Sequence, residues 1–375
     1  MSASQSLRDV WRTPAANTRA FRNVPSFLPT DAIPNYPDDV WRLEAASKPW
    51  RAKLLHRSLL KFTHTDALVI LHRGQICFEY YGPGNDQTQS HILMSCSKAV
   101  TGLLLGLLVS ERLIDDHVPI EEYIPSLAGT RYAGATARDL ADMRAGVVLD
   151  AREERAYDIA ANWEPRRDTP ANVHLKAFFQ SLRGAPDNHG GGFRYISAHT
   201  DLLGWVIEAA TGRKVADLLS EKIWIPLGAE APAYITLDQD GLGRSCGGVG
   251  CRIRDLARLG LLLSRGGRRG GRTIIPKALV DDLWDNGDRD AWTNGDWAKT
   301  LAPISRKMAY RSGWYVVDEE PSKLFAMGIH GQNLFIDRNR DLVVAKFSSW
   351  PKLGSPLPFI VTHRGFTRLQ RNILK

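Results

Sequence analysis

The order of apolar patterns along the chain predicts a mixed α/β fold of the α+β type, in which both chain ends build one sheet-bearing domain around an inserted helical domain. Two strand-length apolar runs, 67–72 and 75–81, flank a turn containing Gly74 and predict a β-hairpin. Strand-length runs return between residues 324 and 349, on either side of a polar turn at 337–341. Because a long helical section separates these strand regions, an insertion fits the order better than two sequential domains.

The domain assignment follows from the positions of these patterns. The sheet-bearing domain takes residues 1–94 and 236–375, and the mainly helical domain takes 95–235. Residues 1–50 are rich in Pro, Trp and Arg, and we expect them to wrap over the surface. Helical patterns occur at 98–114, 136–143, 200–210 and 215–222, and an amphipathic pattern at 365–374 predicts a closing helix.

Composition limits the compartment and the partners. The longest apolar run, 99–109, is shorter than the roughly 18 residues that span a bilayer, so it predicts a buried helix and no membrane association. Four cysteines are too few for a disulfide scaffold, and the N-terminus lacks the apolar segment of a secretory signal. Both observations favour the cytoplasm. The oligomeric state stays open, with a homodimer as one alternative.

The net charge of +8 raises nucleic acid as a partner. The most basic stretch, 264–273, is short and lies between helical patterns at 255–263 and 276–284, so a connecting loop is the favoured interpretation. We therefore expect no nucleic-acid partner, with an RNA-associated protein as a rival hypothesis. The sequence contains no HExxH or CxxC spacing and no phosphate-binding fingerprint after a strand, so we expect neither a metal nor a cofactor.

Three S-x-x-K motifs occur, at Ser58–Lys61, Ser95–Lys98 and Ser349–Lys352. On a helix, residues i and i+3 lie one turn apart, so the lysine can deprotonate the serine or stabilise its alkoxide. Pro351 excludes a helix in the third motif, and the residues after Ser58 turn into a strand. Only Ser95 stands at the head of a long apolar helix, where unpaired N–H groups favour negative charge. Ser95 is therefore the candidate nucleophile.

Two other residues, Ser245 and Cys96, could be mistaken for the nucleophile. Residues 243–247 spell G-x-S-x-G, but the nucleophile elbow of α/β-hydrolases needs a strand before it and a helix directly after it. A turn precedes Ser245 and glycines follow it, which favours a glycine-rich loop. Cys96 lies inside the S-x-x-K motif, about 100° round the helix from Ser95, and we expect it to pack in the core.

Four segments carry a family resemblance: HILMSCSKAVTG (91–102), GGFRYISAHTDLLGWVIEAATG (191–212), CGGVGCRIRDLARLG (246–260) and GIHGQNLFIDRNRDLVVAKFSSW (328–350). With them the chain resembles the β-lactamase-related serine hydrolases, most of all the 6-aminohexanoate-dimer hydrolases and class C β-lactamase-like esterases. The similarity extends from about Asp66 to the C-terminus in family order. It implies a β-lactamase and penicillin-binding-protein-like fold, with an antiparallel sheet flanked by helices and an inserted all-helical domain.

The resemblance implies roles for individual residues. Ser95 and Lys98 match the S-x-x-K pair, and Tyr195 matches the tyrosine of the second family motif, with Ser197 as its short polar partner. A phenol between an ammonium and a hydroxyl can serve as general base. An ordinary half-buried tyrosine is the alternative. The backbone N–H groups of Ser95 and Ile329 would form the oxyanion hole.

The third family motif is the strand 328–332, which resembles the dimer-hydrolase H-x-G version rather than K-T-G. It places His330 and Gly331 among the substrate-binding candidates, with a structural role for His330 as an equal alternative. The nearest literal K-x-G, 352–354, is expected to be loop. The absence of the motif lysine lowers the case for carboxylated β-lactams as preferred substrates.

Three further residues bear on the substrate. Asp158 lies where relatives active on aminohexanoate oligomers carry an acidic residue, and it could hold an ammonium group or be a solvated loop aspartate. Tyr157 could supply a hydroxyl contact. Cys246 stands where the dimer hydrolases carry an amide, and because a thiol is a poor hydrogen-bond partner it leaves esters more plausible. We expect hydrolysis of small esters or linear amides through an acyl-Ser95 intermediate; a carboxylesterase without amidase activity and a catalytically silent binding protein are the alternatives.

Overall fold

The computed structural model describes residues 7–48, 57–164, 173–320, 322–352 and 355–373. The α-helices are α1 (Leu7–Val10), α2 (Asn17–Phe21), α3 (Arg57–Phe62), α4 (Ser97–Ser110), α5 (Ala137–Ala141), α6 (Ala151–Ala160), α7 (Leu175–Ser181), α8 (Ser197–Thr211), α9 (Val215–Leu219), α10 (Ile225–Leu227), α11 (Ile253–Ser264), α12 (Lys277–Asp285), α13 (Arg289–Thr293), α14 (Ala298–Leu301) and α15 (Leu357–Ile373). The strands are β1 (Thr30–Ile33), β2 (Thr65–His72), β3 (Gln75–Tyr81), β4 (Ser90–Ile92), β5 (Ala233–Thr236), β6 (Val249–Arg252), β7 (Arg268–Arg269), β8 (Arg272–Thr273), β9 (Met308–Arg311), β10 (Trp314–Val317), β11 (Lys323–Gly328), β12 (Gln332–Asp337) and β13 (Leu342–Ser348).

A seven-stranded antiparallel sheet forms the centre of the molecule, in the order β3-β2-β13-β12-β11-β10-β9. The predicted hairpin is β2 and β3, and the predicted strand runs near the C-terminus are β11, β12 and β13. Because β13 pairs with β2, residues from both chain ends share one sheet. The α+β prediction is confirmed, whereas the domain boundaries stay a prediction.

Helices cover both faces of this sheet, which explains why its strands are apolar at nearly every position. In β12, Leu334 and Ile336 join the core shared with α4 and α11, and Phe335 joins the core shared with α15. Alternate residues of a strand project to opposite faces of the sheet. When both faces are covered, neither set of side chains faces solvent, and both sets are apolar. The predicted closing helix is the second half of α15, apart from residue 374, which lies outside the described residues.

A second sheet joins the N-terminal segment to the body of the protein. Its strand order is β1-β5-β6-β4, and β1 pairs antiparallel with β5. The side chains of Trp11 and Phe21 are buried in a cluster with Trp163. The described part of the N-terminal segment therefore does more than wrap over the surface, because its aromatic side chains bury enough apolar area to belong to the core.

Helix bounds differ from the predicted ones at several ends. Helix α4 ends at Ser110, short of the predicted 114, and α8 starts at Ser197, ahead of the predicted 200. Helix α6 lies where the sequence analysis predicts none. Its start carries a capping box, since Asp150 accepts from the Glu153 backbone and Glu153 accepts from the Asp150 backbone. The D-x-x-E spacing was the available signal for this helix.

Gly102 allows α4 to lie against the turn between β9 and β10. A Cβ atom at this position would be 1.9 Å from the backbone oxygen of Ser312. Glycine is the one residue that permits so close an approach between a helix and a neighbouring backbone. The absence of a Cβ at Gly102 therefore lets the first half of α4 pack directly on this turn. That half of the helix carries Lys98.

Three further properties of the described residues bear on disulfides, membranes and metals. The four cysteines are free and buried. None of the helices in the described ranges is both long and apolar enough to cross a bilayer. Within the same ranges, no group of three or more His, Cys, Asp or Glu side chains is arranged to hold a metal ion.

Candidate active site

Ser95 lies in a tight turn between β4 and α4. This turn, Met94–Cys96, is a short 3-10 helix that leads directly into α4, so Ser95 stands at the head of the α-helix. Met94 has a φ of 48°, which residues other than glycine rarely adopt. Backbone strain of this kind is concentrated at functional sites. The strained turn presents Ser95 immediately before the first turn of α4.

Lys98 connects three parts of the chain through its ammonium group. Its Nζ lies 3.0 Å from Ser95 Oγ and 3.2 Å from Ser197 Oγ. It also lies 3.0 Å from the backbone oxygen of Cys246. An ammonium group has three N–H donors, and three acceptors surround this one. The side chain, 2% exposed, is therefore held in a single orientation.

The surroundings of Lys98 favour its charged form. Burial opposes the ammonium, whereas the nearby Tyr195 phenol and the Asp201 carboxylate favour it, and the balance raises the pKa of Lys98 above its ordinary value of 10.5. Lys98 is therefore a cation at neutral pH. In this state it stabilises negative charge on its neighbours instead of removing a proton from them.

Tyr195 also lies close to the Lys98 ammonium group. The Lys98 Nζ is 4.9 Å from the centroid of the Tyr195 ring. The ring also stacks on Trp297, with 4.2 Å between centroids and 25° between planes. The structure thus brings Ser95, Lys98 and Tyr195 together, with Ser197 at the first position of α8 beside them.

A cleft with two adjoining parts opens beside these residues. The inner pocket, about 150 Å³, is lined by Ser95, Tyr195, Ser197, Cys246 and Ile329, among others. The outer pocket, about 230 Å³, shares Tyr195 and Ser197 with it and continues along α6. Tyr157 and Asp158 line both pockets. A concave site of this size, with a few polar groups converging on one end, suits a small molecule.

Arg12, Trp163 and Arg244 also line the inner pocket, and the sequence analysis does not single them out. No local signal could have found them, because each lies far along the chain from Ser95. Trp163 follows α6, and Arg12 belongs to the N-terminal segment. The Arg244 guanidinium lies over the Trp163 ring, 4.2 Å from its centroid.

A buried polar network anchors the wall that contains Tyr157. Asp201, which is fully buried, accepts hydrogen bonds from the Tyr157 hydroxyl at 2.6 Å and from Arg244 at 2.9 Å. The same Arg244 lies 3.7 Å from Asp158. Asp158 therefore lies in helix α6 near a guanidinium group, and the alternative of a loop aspartate is wrong. The Tyr157 hydroxyl already has a carboxylate partner, so its part in the site includes holding this wall.

Cys246 contributes its backbone to the site as well as its thiol. Its N–H donates to Asp201 at 2.8 Å, and its carbonyl oxygen accepts from Lys98. The thiol lies 3.4 Å from the Tyr157 hydroxyl, and burial raises the pKa of Cys246. The neutral thiol is therefore the form that faces the inner pocket.

His330 and Gly331 do not belong to the lining of either pocket, although both follow β11 next to Ile329. The His330 side chain is 3% exposed, and its Nδ1 lies 2.6 Å from the Trp350 backbone oxygen. Its ring packs on Phe21, with 4.8 Å between centroids. Burial lowers the pKa of His330. This geometry favours the structural alternative for His330.

The serines of the rejected motifs, and Cys96, do not line the cleft. Ser245 is fully buried in the predicted glycine-rich loop, and its backbone oxygen accepts from Thr101. Ser349 hydrogen-bonds with Thr18 and Asp66. The Ser58 motif lies in the short helix α3, and residues 353 and 354 of the K-x-G sequence lie outside the described residues. Cys96 is buried, as expected.

The basic stretch 264–273 forms the end of α11 and a small hairpin, β7 and β8. Arg269 and Arg272 both pair with Asp39 there. Two of its arginines are thus engaged within the protein. The stretch connects α11 to α12, as the sequence predicts, and most of this connection is a short hairpin.

An antiparallel sheet covered by helices, with a serine and a lysine joined across one turn beside it, is the architecture of the S-x-x-K serine hydrolases. The sequence profile of the β-lactamase family matches residues 62–358. A 6-aminohexanoate-dimer hydrolase from Paenarthrobacter ureafaciens is 35% identical over 362 residues, covering 93% of this chain and 90% of the relative. The chain therefore belongs to the β-lactamase family, and the predictions of this family and of a serine hydrolase are confirmed.

Solved structures show the same fold. A proposed 6-aminohexanoate-dimer hydrolase from Bacillus anthracis superposes with a TM-score of 0.84 at 23% identity, covering 99% of this chain and 98% of that chain. A proposed β-lactamase from Bacteroides dorei superposes with a TM-score of 0.62 at 20% identity, covering 82% and 95%. The predicted β-lactamase and penicillin-binding-protein-like fold is confirmed.

Proposed function

We propose that this protein hydrolyses small linear amides and esters through an acyl-enzyme on Ser95, with Tyr195 as the group that carries the proton and Lys98 as the cation that stabilises both oxygens. The observation that carries the proposal is the position of the Lys98 ammonium, which contacts the Ser95 hydroxyl at 3.0 Å and lies against the Tyr195 ring. A buried cation beside a serine and a phenol stabilises whichever of the two oxygens loses its proton.

Acylation follows from these positions. Tyr195, with its negative charge stabilised by Lys98, takes the proton of the Ser95 hydroxyl while Oγ bonds to the substrate carbonyl carbon. The carbonyl oxygen becomes the oxyanion of a tetrahedral intermediate. As the intermediate collapses, the C–N or C–O bond breaks, and the leaving amine or alcohol takes the proton from Tyr195. The products are acyl-Ser95 and a free amine or alcohol.

Deacylation runs through the same groups in reverse. A water molecule gives a proton to Tyr195 and bonds to the acyl carbon, and the second tetrahedral intermediate releases Ser95, which regains its proton. We assign the oxyanion site to the backbone N–H groups of Ser95 and Ile329, because both residues line the inner pocket. His330 then acts as a positioning residue, since its bond to the Trp350 oxygen holds the turn that carries Ile329.

The substrate class rests on the named relative and on the cleft. The Paenarthrobacter relative is a 6-aminohexanoate-dimer hydrolase, so a short linear amide is the first candidate. The neutral Cys246 thiol offers weak hydrogen bonding to an amide, which keeps a carboxylesterase without amidase activity as the second candidate. Asp158 and Ser197 are proposed substrate contacts. A cytoplasmic location completes the proposal, and its support is the low cysteine content.

Hydrolysis of a short-chain p-nitrophenyl ester by wild type, Ser95→Ala and Ser245→Ala tests the mechanism. We expect activity to be lost in Ser95→Ala alone, together with the acyl-enzyme mass adduct. Loss in Ser245→Ala would move the nucleophile to the glycine-rich loop. Equal background rates in all three proteins would support a catalytically silent binding protein. Comparing a linear amide with the ester of the same acyl group in the wild type then separates amidase from esterase.

A further inference from the structure

Arg12 and Ser95 both line the inner pocket. Arg12 lies outside residues 62–358, the part of the chain that matches the family profile. We infer that Arg12 selects substrates that carry a carboxylate a few bonds from the scissile ester or amide; the inference rests on the proposed function of the cleft. The N-terminal segment is then a specificity element as well as a part of the core.

Two tryptophans hold the guanidinium in place. The Trp11 indole donates to the backbone oxygen of Trp163 at 3.2 Å, and the two rings meet edge to face with 5.1 Å between centroids. The Arg12 guanidinium lies 5.6 Å from the Trp11 ring centroid and 5.9 Å from that of Trp163. A planar cation supported by aromatic rings loses little freedom when it binds a ligand. The site is therefore prepared before substrate arrives.

The two pockets differ in their charged residues. Arg12 and Arg244 line the inner pocket, Glu154 lines the outer pocket, and Asp158 lines both. Arg244 is already engaged, since it pairs with Asp201 at 2.9 Å and lies near Asp158. Of the two arginines among the described residues of the inner pocket, Arg12 is therefore the one outside this buried network, and its partner is Glu164.

The present partner of Arg12 is replaceable. Arg12 pairs with Glu164, and the two side chains are 21% and 39% exposed. Ion pairs with this much solvent around them contribute little to stability. A substrate carboxylate that enters the inner pocket can therefore take the place of Glu164, and a guanidinium binds such a group through two parallel hydrogen bonds.

Matched substrates test the inference. Two pairs of substrates are compared, and in each pair one member ends in a carboxylate and the other in a carboxamide of the same length. The variable end lies on the acyl side in one pair and on the leaving-group side in the other. We expect the wild type to prefer the carboxylate in at least one pair. Arg12→Gln should lower the carboxylate-to-carboxamide ratio of kcat/KM about 10- to 100-fold, mainly through KM. Arg12→Lys should restore part of this ratio.

Two further variants complete the experiment. Glu164→Gln removes the competing carboxylate, so we expect it to raise the carboxylate-to-carboxamide ratio. Because this change is an increase, poor folding would not produce it, and it tests the inference even if Arg12→Gln folds poorly. Arg8→Gln is the matched control, because Arg8 lies on the same segment but bonds to Asn162 outside the inner pocket; its ratio should equal that of the wild type. An equal loss for both substrates in Arg12→Gln, with no change in Glu164→Gln, would overturn the inference. Unaltered turnover in Ser95→Ala would instead overturn the proposed function.

Discussion

Asp201 and Lys98 hold the same residue from its two sides: the Asp201 carboxylate accepts the Cys246 N–H at 2.8 Å, and the Lys98 ammonium donates to the Cys246 carbonyl at 3.0 Å. The two charged side chains lie on different helices, α8 and α4. Both contacts fall on the backbone of one residue, so Asp201 supports the carbonyl group that holds the Lys98 ammonium. Asp201 is a positioning residue for the proposed reaction.

Replacing Asp201 with asparagine should reduce both stability and kcat. The change leaves the buried Arg244 guanidinium without its nearest counter-charge, so we expect the free energy of unfolding to fall by about 3 kcal/mol in urea denaturation. Because Lys98 loses part of its support, kcat should fall more than KM rises, with an altered pH profile.

The matched control for this variant is Asp217→Asn, which changes an exposed aspartate on α9. Its stability should stay within about 0.5 kcal/mol of the wild type. If folded Asp201→Asn protein has the kcat and pH profile of the wild type, Asp201 supports the fold without positioning Lys98.

The charge on Lys98 should persist at alkaline pH, so loss of its proton should not limit activity there. A raised pKa keeps the proton on the amine at pH values where an ordinary lysine, with a pKa of 10.5, begins to lose it. We expect kcat/KM to show no alkaline limb due to Lys98 from about pH 7 to about pH 10. Lys98→Met should lose about 10²- to 10⁴-fold across this range. A lysine that worked as a neutral base would instead give activity that rises with pH.

Trp297 should influence the reaction through Tyr195. The two rings stack at 4.2 Å, and an aromatic pair contributes about 0.5–1.5 kcal/mol. We expect Trp297→Ala to lower kcat about tenfold, because the phenol loses its fixed orientation, and Trp297→Phe to recover most of the loss. Steady-state kinetics on the p-nitrophenyl ester measure this. A change in KM alone would assign Trp297 to substrate binding.

Two glycines of α4 should differ in their tolerance of alanine. A Cβ at Gly102 would meet the Ser312 backbone oxygen at 1.9 Å, whereas a Cβ at Gly106 would meet the flexible Leu279 side chain at 2.3 Å. We expect Gly102→Ala to cost about 3 kcal/mol of unfolding free energy and Gly106→Ala under about 1 kcal/mol. Thermal and urea denaturation compare them, and equal costs would contradict the backbone contact as the cause.

The elements that the sequence predicts well are those whose signal is local. The strands β2, β3, β12 and β13 follow from short apolar runs broken by turns, and the proximity of Ser95 and Lys98 follows from a three-residue spacing. Among the elements that were not predicted, which include α7, β9 and β10, helix α6 is the one with a clear local signal, the Asp150 and Glu153 capping box. Without this helix, a loop position stayed one of two alternatives for Asp158.

Tertiary structure alone decided what surrounds the serine and lysine. Lys98 and Cys246 are separated by 148 residues, and Trp11 and Trp163 by 152. No periodicity relates residues so far apart, because helix and strand geometry repeats over only a few positions. The sequence by itself therefore determined the hydrolase class and the pair at its centre. The Asp201 support of Lys98 and the entry of Arg12 into the cleft arise only when the packed core brings distant segments together.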